Sequence, residues 1–338
     1  MQDKTTSFDI AQAAGVSQPT VSRALRGDPT VSEGTRKRIE AIARQLNYAV
    51  DKRASSLRAG RANTLALLFF QDPTGDDTLI NPFFLAMLGS IARTCALHGY
   101  DLLTSFQQLS NDWHVDYEDS RKADGLILLG YGDYELYRAR LDQLGRQGTH
   151  FVRWGSVVTR DDGNTVGCDN RTGGVEAGRH LIAQGRRRIA FLGDASSHFP
   201  EFHERYRGLC DALAEIGSDC DPALQVDAIT TEEAGHEAAR QLLARGQKFD
   251  AIFAASDLIA LGALRALEDA GLSVPGDVAV IGFDNLPAAS LAHPPLTTVA
   301  QDYRRAGELL VETLLARIGG RPTEAAMLPP RLVVRATT

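Results

Sequence analysis

Three short amphipathic segments open the chain, and each begins at a serine suited to cap a helix. The predicted caps and helices are Ser7 for a helix that ends before Gly15, Ser17 for Gln18–Leu25, and Ser32 for a helix reaching Leu46. Apolar residues recur at helical spacing in all three, at Ile10, Ala11, Ala14, Val21, Ala24, Leu25, Ile39, Ile42, Ala43 and Leu46. Three short helices joined by tight turns are typical of a helix-turn-helix unit.

From Thr64 the pattern changes to short apolar runs alternating with amphipathic segments. The predicted strands are Leu65–Phe70, Asp101–Phe106, Gly125–Leu129, His150–Trp154, Thr165–Cys168, Ile189–Gly193, Gln225–Ala228, Ala251–Ala255 and Val278–Phe283. The predicted helices are Phe84–Leu97, Gly173–Gln184, Glu204–Ile216, Glu233–Arg245, Leu258–Ala270 and Asp302–Arg317. Alternating strands and helices indicate parallel sheets covered on both faces. A polar stretch at 159–164 divides the strands into two series, which predicts two doubly wound lobes.

Composition places the chain among ordinary globular proteins. Its 338 residues suit two or three domains, and 43% are hydrophobic. The net charge is −7, but residues 1–60 carry ten basic and six acidic side chains, a net of +4 that leaves −11 for the rest. A basic head on an acidic body confines expected contact with nucleic acid to the head.

Several classes of site are not expected. The four cysteines, Cys95, Cys168, Cys210 and Cys220, form no CxxC pair, so we predict free thiols and no metal site. No cofactor motif stands out, because the nearest candidate, Gly130–Glu135, is a weak match to GxGxxG. The first residues lack a signal-peptide core and no apolar run is long enough to span a membrane, so a cytoplasmic protein without catalytic activity is expected.

The second predicted helix carries the chemistry of base recognition. Arg23 can pair with guanine through two hydrogen bonds, and Gln18 with adenine. Thr20 and Ser22 offer short hydroxyl groups for phosphates, which fix register. The predicted DNA-binding residues of this region are Ser17, Gln18, Pro19, Thr20, Ser22 and Arg23. A small three-helix bundle with solvated polar faces is the alternative.

The stretches VSQPTVSRALRG, RQLNY and SSLRAGR resemble the DNA-binding end of the LacI–GalR family of bacterial transcription repressors. AASDLIALGALRAL, VAVIGFDN and PPLTTVAQD resemble the effector-binding core of the same family. The resemblance implies a helix-turn-helix domain at 1–48, a hinge at 49–61 and a two-lobed, periplasmic-binding-protein-like core at 62–338. The family pattern assigns about 62–160 and 297–322 to the first lobe, and about 161–296 and 323–338 to the second.

In the resembled family the hinge helix orders on the operator and a leucine wedges into the minor groove. By that match Leu57 would be the wedge, with Arg53 and Arg58 contacting phosphates or the groove. The chain departs from the family at Val50 and Asp51, where Pro-Asn is usual. A flexible basic tether is the alternative that composition alone favours.

Ligands of doubly wound sheets bind beyond the carboxyl ends of the strands, so the loops after each strand supply the candidates. The family match places Phe83 and Phe84 at the cleft, although a phenylalanine at a helix start is commonly core. Arg153 and Trp154 follow the fourth strand and could offer donors and a flat apolar face to a sugar. An arginine on a strand edge and a tryptophan wedged between lobes is the alternative.

Candidates from the second series are Phe199, Glu201, Arg205, Ser256, Asp284 and Gln301. The resemblance makes Arg205 and Asp284 the central effector residues, while Glu201 and His203 could instead belong to a solvated loop. Asp257 is expected to cap its helix and Ser256 to face the ligand. Thr230 stands where the family often has an aromatic residue, which favours a sugar over a planar purine.

The resemblance implies a dimeric repressor, with a tetramer as the alternative, that binds a pseudo-palindromic double-stranded DNA operator. Its small effector is expected to be a carbohydrate, such as the α-glucoside maltose, or else a sugar phosphate clamped by Arg153 and Arg205. A sugar-binding transport or chemotaxis protein shares the two-lobed core, but the basic helical head opposes it. An enzyme on the same sheets is a third class, for which no catalytic signature is present.

Overall fold

A computed structural model describes residues 5–25, 27–46, 48, 61–70, 80–130, 133–157 and 163–338. The chain divides into two compact units, Met1–Ala62 and Asn63–Thr338. The predicted hinge residues Val50, Asp51, Arg53, Leu57 and Arg58 lie outside the described residues.

The first unit contains three helices, α1 (Ser7–Ala14), α2 (Gln18–Leu25) and α3 (Glu33–Gln45). Thr6, not Ser7, caps α1, because Thr6 and Asp9 form a reciprocal capping box. Gly15 ends α1 with a φ of 65°, and Ser32 caps α3, as predicted. The hydrophobic core of this unit consists of Ile10, Ala11, Ala14, Val21, Ala24, Val31, Ile39 and Ala43. Leu46, predicted to face inward, lies past the end of α3 and is 39% exposed.

The second unit alternates strands and helices, as the periodicity predicts. Its strands are β1 (Thr64–Phe69), β2 (Asp101–Phe106), β3 (Leu126–Leu129), β4 (Phe151–Trp154), β5 (Thr165–Cys168), β6 (Ile189–Leu192), β7 (Gln225–Val226), β8 (Ala251–Ala254), β9 (Ala279–Asp284), β10 (Thr297–Ala300), β11 (Ala326–Leu328) and β12 (Arg331–Val333). Its helices are α4 (Pro82–Leu97), α5 (Tyr134–Gln147), α6 (Asn170–Ala183), α7 (Pro200–Ala214), α8 (Glu232–Ala244), α9 (Asp257–Asp269), α10 (Pro287–Leu291) and α11 (Tyr303–Ile318).

The strands form two six-stranded sheets, in the orders β11-β5-β4-β3-β1-β2 and β12-β10-β9-β8-β6-β7. Every pairing is parallel except that of β12 with β10. The observed architecture is the predicted pair of doubly wound lobes, here called the first lobe and the second lobe. The carboxyl ends of parallel strands lie at one edge of a sheet. The loops that follow the strands of each lobe therefore lie together at that edge, which is where ligands of such sheets bind.

Three strands belong to a different lobe from the one predicted. β5 and β11 pair with each other in the first sheet, whereas both were assigned to the second lobe. β10 pairs with β9 in the second sheet, whereas residues from 297 onward were assigned to the first lobe. Hydrophobic periodicity identifies a buried strand but carries no information about its partner. In the structure the chain passes from one lobe to the other at later positions than we predicted.

Two cysteines also differ from the prediction. Cys210, near the end of α7, forms a disulfide with Cys220, with Cα atoms 5.2 Å apart. The turn that follows α7 brings together two residues whose spacing matches no familiar motif. Cys95 and Cys168 are buried free thiols, as expected, and burial raises their pKa values to about 11 and about 12.

Glycines let α6 approach α7 at close range. A Cβ at Gly174 would lie 2.2 Å from the carbonyl oxygen of Arg205, and one at Gly208 would lie 2.2 Å from that of Arg171. Neither position accepts a side chain without separating the helices. The close crossing holds the backbone at Arg205 directly against α6.

Candidate functional site

The predicted DNA-binding face of α2 has both exposed side chains and side chains held by hydrogen bonds. Arg23 is exposed, as are Ser17 and Pro19, whereas Gln18, Thr20 and Ser22 are half-buried. The Gln18 amide donates a hydrogen bond of 3.1 Å to the Ser7 hydroxyl, which ties the start of α2 to α1. The helix therefore presents Arg23 freely and holds Gln18 in a fixed orientation.

Arg205 lies on α7 in the second lobe and is completely buried. Its Nε donates to Asn170 Oδ1 at 2.8 Å, and its Nη1 donates to the Ala255 carbonyl. The guanidinium carbon lies 3.7 Å from the centre of the Phe283 ring. These contacts leave the arginine one orientation, in which Nη1 is 4.0 Å from Asp284 Oδ1.

Asp284 ends β9 and is almost fully buried. Its Oδ1 accepts a hydrogen bond of 2.6 Å from Gln301 Nε2, while Oδ2 is buried and accepts none from the described residues. Burial raises the pKa of Asp284 to about 6, although Arg205 and Gln301 act in the opposite direction. A buried oxygen without a donor is costly, so the carboxylate is suited to accept a hydrogen bond from a ligand.

A buried hydrogen-bond network holds the turn after Asp284. Asp284 and Asn285 have φ angles of 117° and 57°, conformations that non-glycine residues seldom adopt and that cluster at functional sites. Asp257 Oδ2 accepts from the Leu286 N–H at 2.6 Å, and Oδ1 accepts from the Thr298 hydroxyl at 2.5 Å. Burial and the charge of Asp284 raise the pKa of Asp257 well above its ordinary value.

The predictions for Ser256 and Asp257 were wrong, because Ser256 takes the capping role expected of Asp257 and Asp257 takes a different, supporting role. Ser256 caps α9, with its hydroxyl accepting from the Ile259 N–H at 3.3 Å. Asp257 instead supports the turn at Asp284, because its carboxylate points across to β10. Arg335 supports the same turn by donating to Asn285 Oδ1 at 2.6 Å.

On the first lobe, Phe83, Phe84 and Trp154 form a buried aromatic group. The Phe83 ring lies 5.4 Å from that of Phe84 and 5.8 Å from that of Trp154. Phe83 also lines a cavity of about 190 Å³ together with Asp284, Asn285, Tyr303 and Arg335. The structure thus brings Phe83 to the cavity of Asp284, whereas Phe84 packs behind Phe83 in the aromatic group.

Arg153 and Glu201 meet at the border between the lobes. Arg153 Nη2 donates to the Ser156 carbonyl at 3.1 Å, and its guanidinium lies 5.5 Å from the centre of the Tyr134 ring. Glu201 Oε1 accepts from the Ser156 N–H at 2.7 Å and is 8% exposed. Glu201 is therefore a buried contact between lobes, not part of a solvated loop.

The loop before α7 makes a second contact across the lobes. His198 Nδ1 lies 2.8 Å from Asp133 Oδ2, and the His198 carbonyl accepts from the Tyr134 N–H at 2.8 Å. Hydrogen bonding to Asp133 and its charge raise the pKa of His198. Phe199, predicted as an effector contact, stacks on Phe202 with ring centres 6.2 Å apart.

Relatives of this chain combine the same two units. Residues 8–51 match the family model described as bacterial regulatory proteins, lacI family, and residues 179–338 match a periplasmic binding protein-like domain. The regulator CelR of Thermobifida fusca is 32% identical over 96% of this chain and 94% of its own length. The chain belongs to the lacI family of bacterial regulatory proteins. The resemblance inferred from the sequence is thereby confirmed.

Other relatives agree in length and fold. The repressor CytR of Escherichia coli K12 is 31% identical over 98% of this chain and 96% of its own. The lac repressor dimer, solved with operator and the anti-inducer ONPF, is 25% identical with a TM-score of 0.85, and 99% of each chain is covered. A CelR–cellobiose complex is 30% identical, covers 99% of this chain and 100% of its own, and has a TM-score of 0.73.

The sequence missed several residues of the site. Tyr134, Tyr137 and Trp113 lie around the first-lobe edge, and Tyr303 and Arg335 line the cavity at Asp284. Tyr134 and Tyr137 follow the third strand and could have been found by the rule that ligands bind after strand ends. Arg335 gives no such signal, because it reaches the site from the chain end. Across the described ranges, no helix has the length and apolar character needed to cross a membrane.

Proposed function

We propose that the protein is a dimeric transcription repressor that binds an operator through its helical head and a carbohydrate between its lobes. In this proposal residues 1–48 bind the major groove, 49–61 form the hinge, and 62–338 bind the effector in the cytoplasm. The operator-bound lac repressor dimer is the relative that supports the DNA arrangement. The relatives are named as regulators, which supports the absence of an enzymatic role.

The observation that carries the effector proposal is the buried group of Arg205, Asp284 and Gln301. A fixed donor set beside a carboxylate with an unused oxygen suits a ligand that both donates and accepts hydrogen bonds, as sugar hydroxyls do. Phe83 adds an apolar ring on the opposite wall. The names of the relatives support the class, since CelR has been solved with cellobiose and another relative is a ribose operon repressor.

A sugar phosphate is the weaker candidate. Arg205 and Arg153 already donate to Asn170, Ala255 and Ser156, and Asp284 lies 4.0 Å from Arg205. A phosphate at this point would face a carboxylate, and like charges repel strongly at low dielectric. A neutral sugar such as maltose avoids that cost.

The DNA arm of the proposal is tested with an operator selected from a random library. We expect Arg23→Ala to lose preference at one base pair of each half-site and to cost roughly 1–3 kcal/mol at that pair. Arg38→Ala removes the same charge from an exposed position of α3 and is the control. If Arg23→Ala selects the same operator as wild type, the assigned recognition register is wrong.

The effector arm is tested by titrating sugars into the operator complex. We expect one sugar to change operator affinity by a coupling of about 1–3 kcal/mol, in either direction. Asp284→Asn should bind operator normally and lose that response. A panel of glucose, galactose, ribose, maltose, cellobiose and lactose without any effect would refute a carbohydrate effector of these types.

A further inference from the structure

The first turn of α2 fixes the backbone from which Gln18 extends. Pro19 follows directly and has a fixed φ and no N–H to satisfy. The N–H groups of Thr20 and Val21 both donate to the Ser17 carbonyl, at 2.9 and 3.1 Å. The Ser17 and Thr20 hydroxyls lie 2.8 Å apart and share a hydrogen bond. The orientation of the Gln18 side chain therefore depends on its own contacts, because the backbone leaves it little other freedom.

The contact that orients Gln18 comes from α1. The Thr6 hydroxyl caps that helix, pairing with the Asp9 carboxylate at 2.8 Å and accepting from the Asp9 N–H at 3.4 Å. Ser7 follows the cap, so its hydroxyl is not needed there, and it accepts from Gln18 Nε2 at 3.1 Å. Both helices contribute side chains to the hydrophobic core of the first unit, which keeps Ser7 at a constant distance from α2.

This hydrogen bond decides which way the Gln18 amide faces. The nitrogen of an amide only donates hydrogen bonds and the oxygen only accepts them. Ser7 takes one N–H of Nε2 and so holds the nitrogen toward α1. The second N–H and Oε1 are left to meet a base, as one donor beside one acceptor.

One donor beside one acceptor distinguishes the two purines. In the major groove adenine presents the N7 acceptor and the N6 amino donor, which match the two remaining atoms of the Gln18 amide. Guanine presents two acceptors, N7 and O6, so the amide oxygen would face a second acceptor. An amide that could rotate by half a turn would place its nitrogen toward guanine and donate to it. Ser7 opposes that rotation, because the rotation breaks its hydrogen bond with Nε2.

We infer that Ser7 is a positioning residue for base selection, which fixes the Gln18 amide so that the protein selects adenine and rejects guanine at one base pair of each half-site. The inference rests on the proposed operator binding by α2 and adds to it a residue outside that helix. Ser7 acts through Gln18 and needs no contact of its own with the DNA.

Operator selection from a random library with wild type and Gln18→Ala locates the base pair that Gln18 contacts. The affinity of the full-length protein is then measured for two duplexes that differ only in adenine or guanine at that position. We expect wild type to prefer adenine by at least about tenfold, equivalent to about 1.4 kcal/mol. Ser7→Ala should reduce this ratio to about threefold or less, because the freed amide can also donate to guanine. Ser7→Thr retains a hydroxyl and should keep the wild-type ratio.

The ratio separates positioning from a purely structural role of Ser7. Loosening the contact between α1 and α2 alone would weaken both duplexes equally and leave the ratio unchanged. Thr5→Val is the matched control, because it removes another hydroxyl hydrogen bond of the first unit, from Thr5 Oγ1 to the Leu46 carbonyl at 3.1 Å. It should not alter the ratio.

A wild-type ratio in Ser7→Ala would overturn the inference, as would an equal loss of preference in Thr5→Val or a wild-type preference for guanine. If Gln18→Ala loses preference at one base pair and Ser7→Ala does not, only the inference fails and operator binding by α2 stands. If Gln18→Ala selects the same operator as wild type, Gln18 reads no base, and the assigned recognition register fails together with the inference.

Discussion

Replacing Asp284 by Asn should change how stability depends on pH. Burial raises the pKa of Asp284 from 3.8 to about 6, so the folded protein holds this proton more tightly than the unfolded chain. The free energy of unfolding then falls as pH rises through that interval, by about 3 kcal/mol at about 1.4 kcal/mol per pKa unit. Asn mimics the protonated carboxyl, so the variant should lack this loss.

The charge of Arg205 lowers the pKa of Asp284, but by less than burial raises it. Its attraction for the Asp284 carboxylate across 4.0 Å already lowers the pKa, and burial still dominates. We therefore expect Asp284→Asn to gain about 3 kcal/mol relative to wild type between about pH 4 and about pH 7.5. This gain should come with loss of effector binding.

Urea unfolding at a series of pH values measures the difference between wild type and variant, which cancels the titration of groups that Asp284 does not influence. Asp257 does not cancel, because the charge of Asp284 raises its pKa, and its contribution adds to the difference in the same direction. Asp142→Asn, at an exposed position of α5, is the matched control and should show no such change. A difference between wild type and Asp284→Asn that stays constant from about pH 4 to about pH 7.5 would refute the reasoning, because it would mean that Asp284 is not desolvated.

Three further variants probe the structure around the cleft. His198→Gln removes the contact of the histidine with Asp133. Because that contact raises the pKa of His198, the pair stabilises the fold when the histidine is protonated, and the stabilisation is lost as pH rises through that pKa; thermal midpoints of wild type and variant should differ below the ordinary histidine pKa and converge at higher pH. Gly174→Ala places a Cβ against the Arg205 carbonyl and should cost roughly 1–3 kcal/mol in urea unfolding, whereas an unchanged midpoint would show that α6 can shift freely. Asp257→Ala leaves two buried donors unpaired, each worth about 1–3 kcal/mol, and should weaken effector binding in calorimetry; unaltered binding would contradict its support of the turn at Asp284.

Local patterns predicted most of the helices and strands, whereas the family resemblance singled out Arg205 and Asp284. The strand that ends at Asp284 and the helix that carries Arg205 follow from apolar periodicity, and strand ends in doubly wound sheets are where ligands bind. The hydrogen bond between Asp284 and Gln301 could not be predicted from local patterns, because it depends on β10 lying beside β9. Pairing between distant strands is a property of the whole fold that a local pattern cannot contain.

The errors share that origin. β5 was predicted as a strand, but the sheet that it joins depends on β11, a partner more than 150 residues away along the chain that was not predicted as a strand. Glu201 was predicted as an effector contact, with a solvated loop as the alternative, and its hydrogen bond with the Ser156 N–H could not be foreseen because Ser156 lies on the other lobe. Cys210 and Cys220 meet because of how α7 ends. In each case the local residues allow several partners, and only packing selects one.

The two sheets are linked three times, and the last link is the shortest. β11 lies in the first sheet and β12 in the second, with only Pro329 and Pro330 between them. Proline fixes its own φ, so this two-residue connection has little freedom to change its length or direction. A sliding displacement of one lobe past the other would stretch it, whereas a rotation about it would not. This short link therefore restricts sliding of the two lobes past each other more than it restricts their rotation, so a change in the relation between the lobes is expected to be mainly rotational.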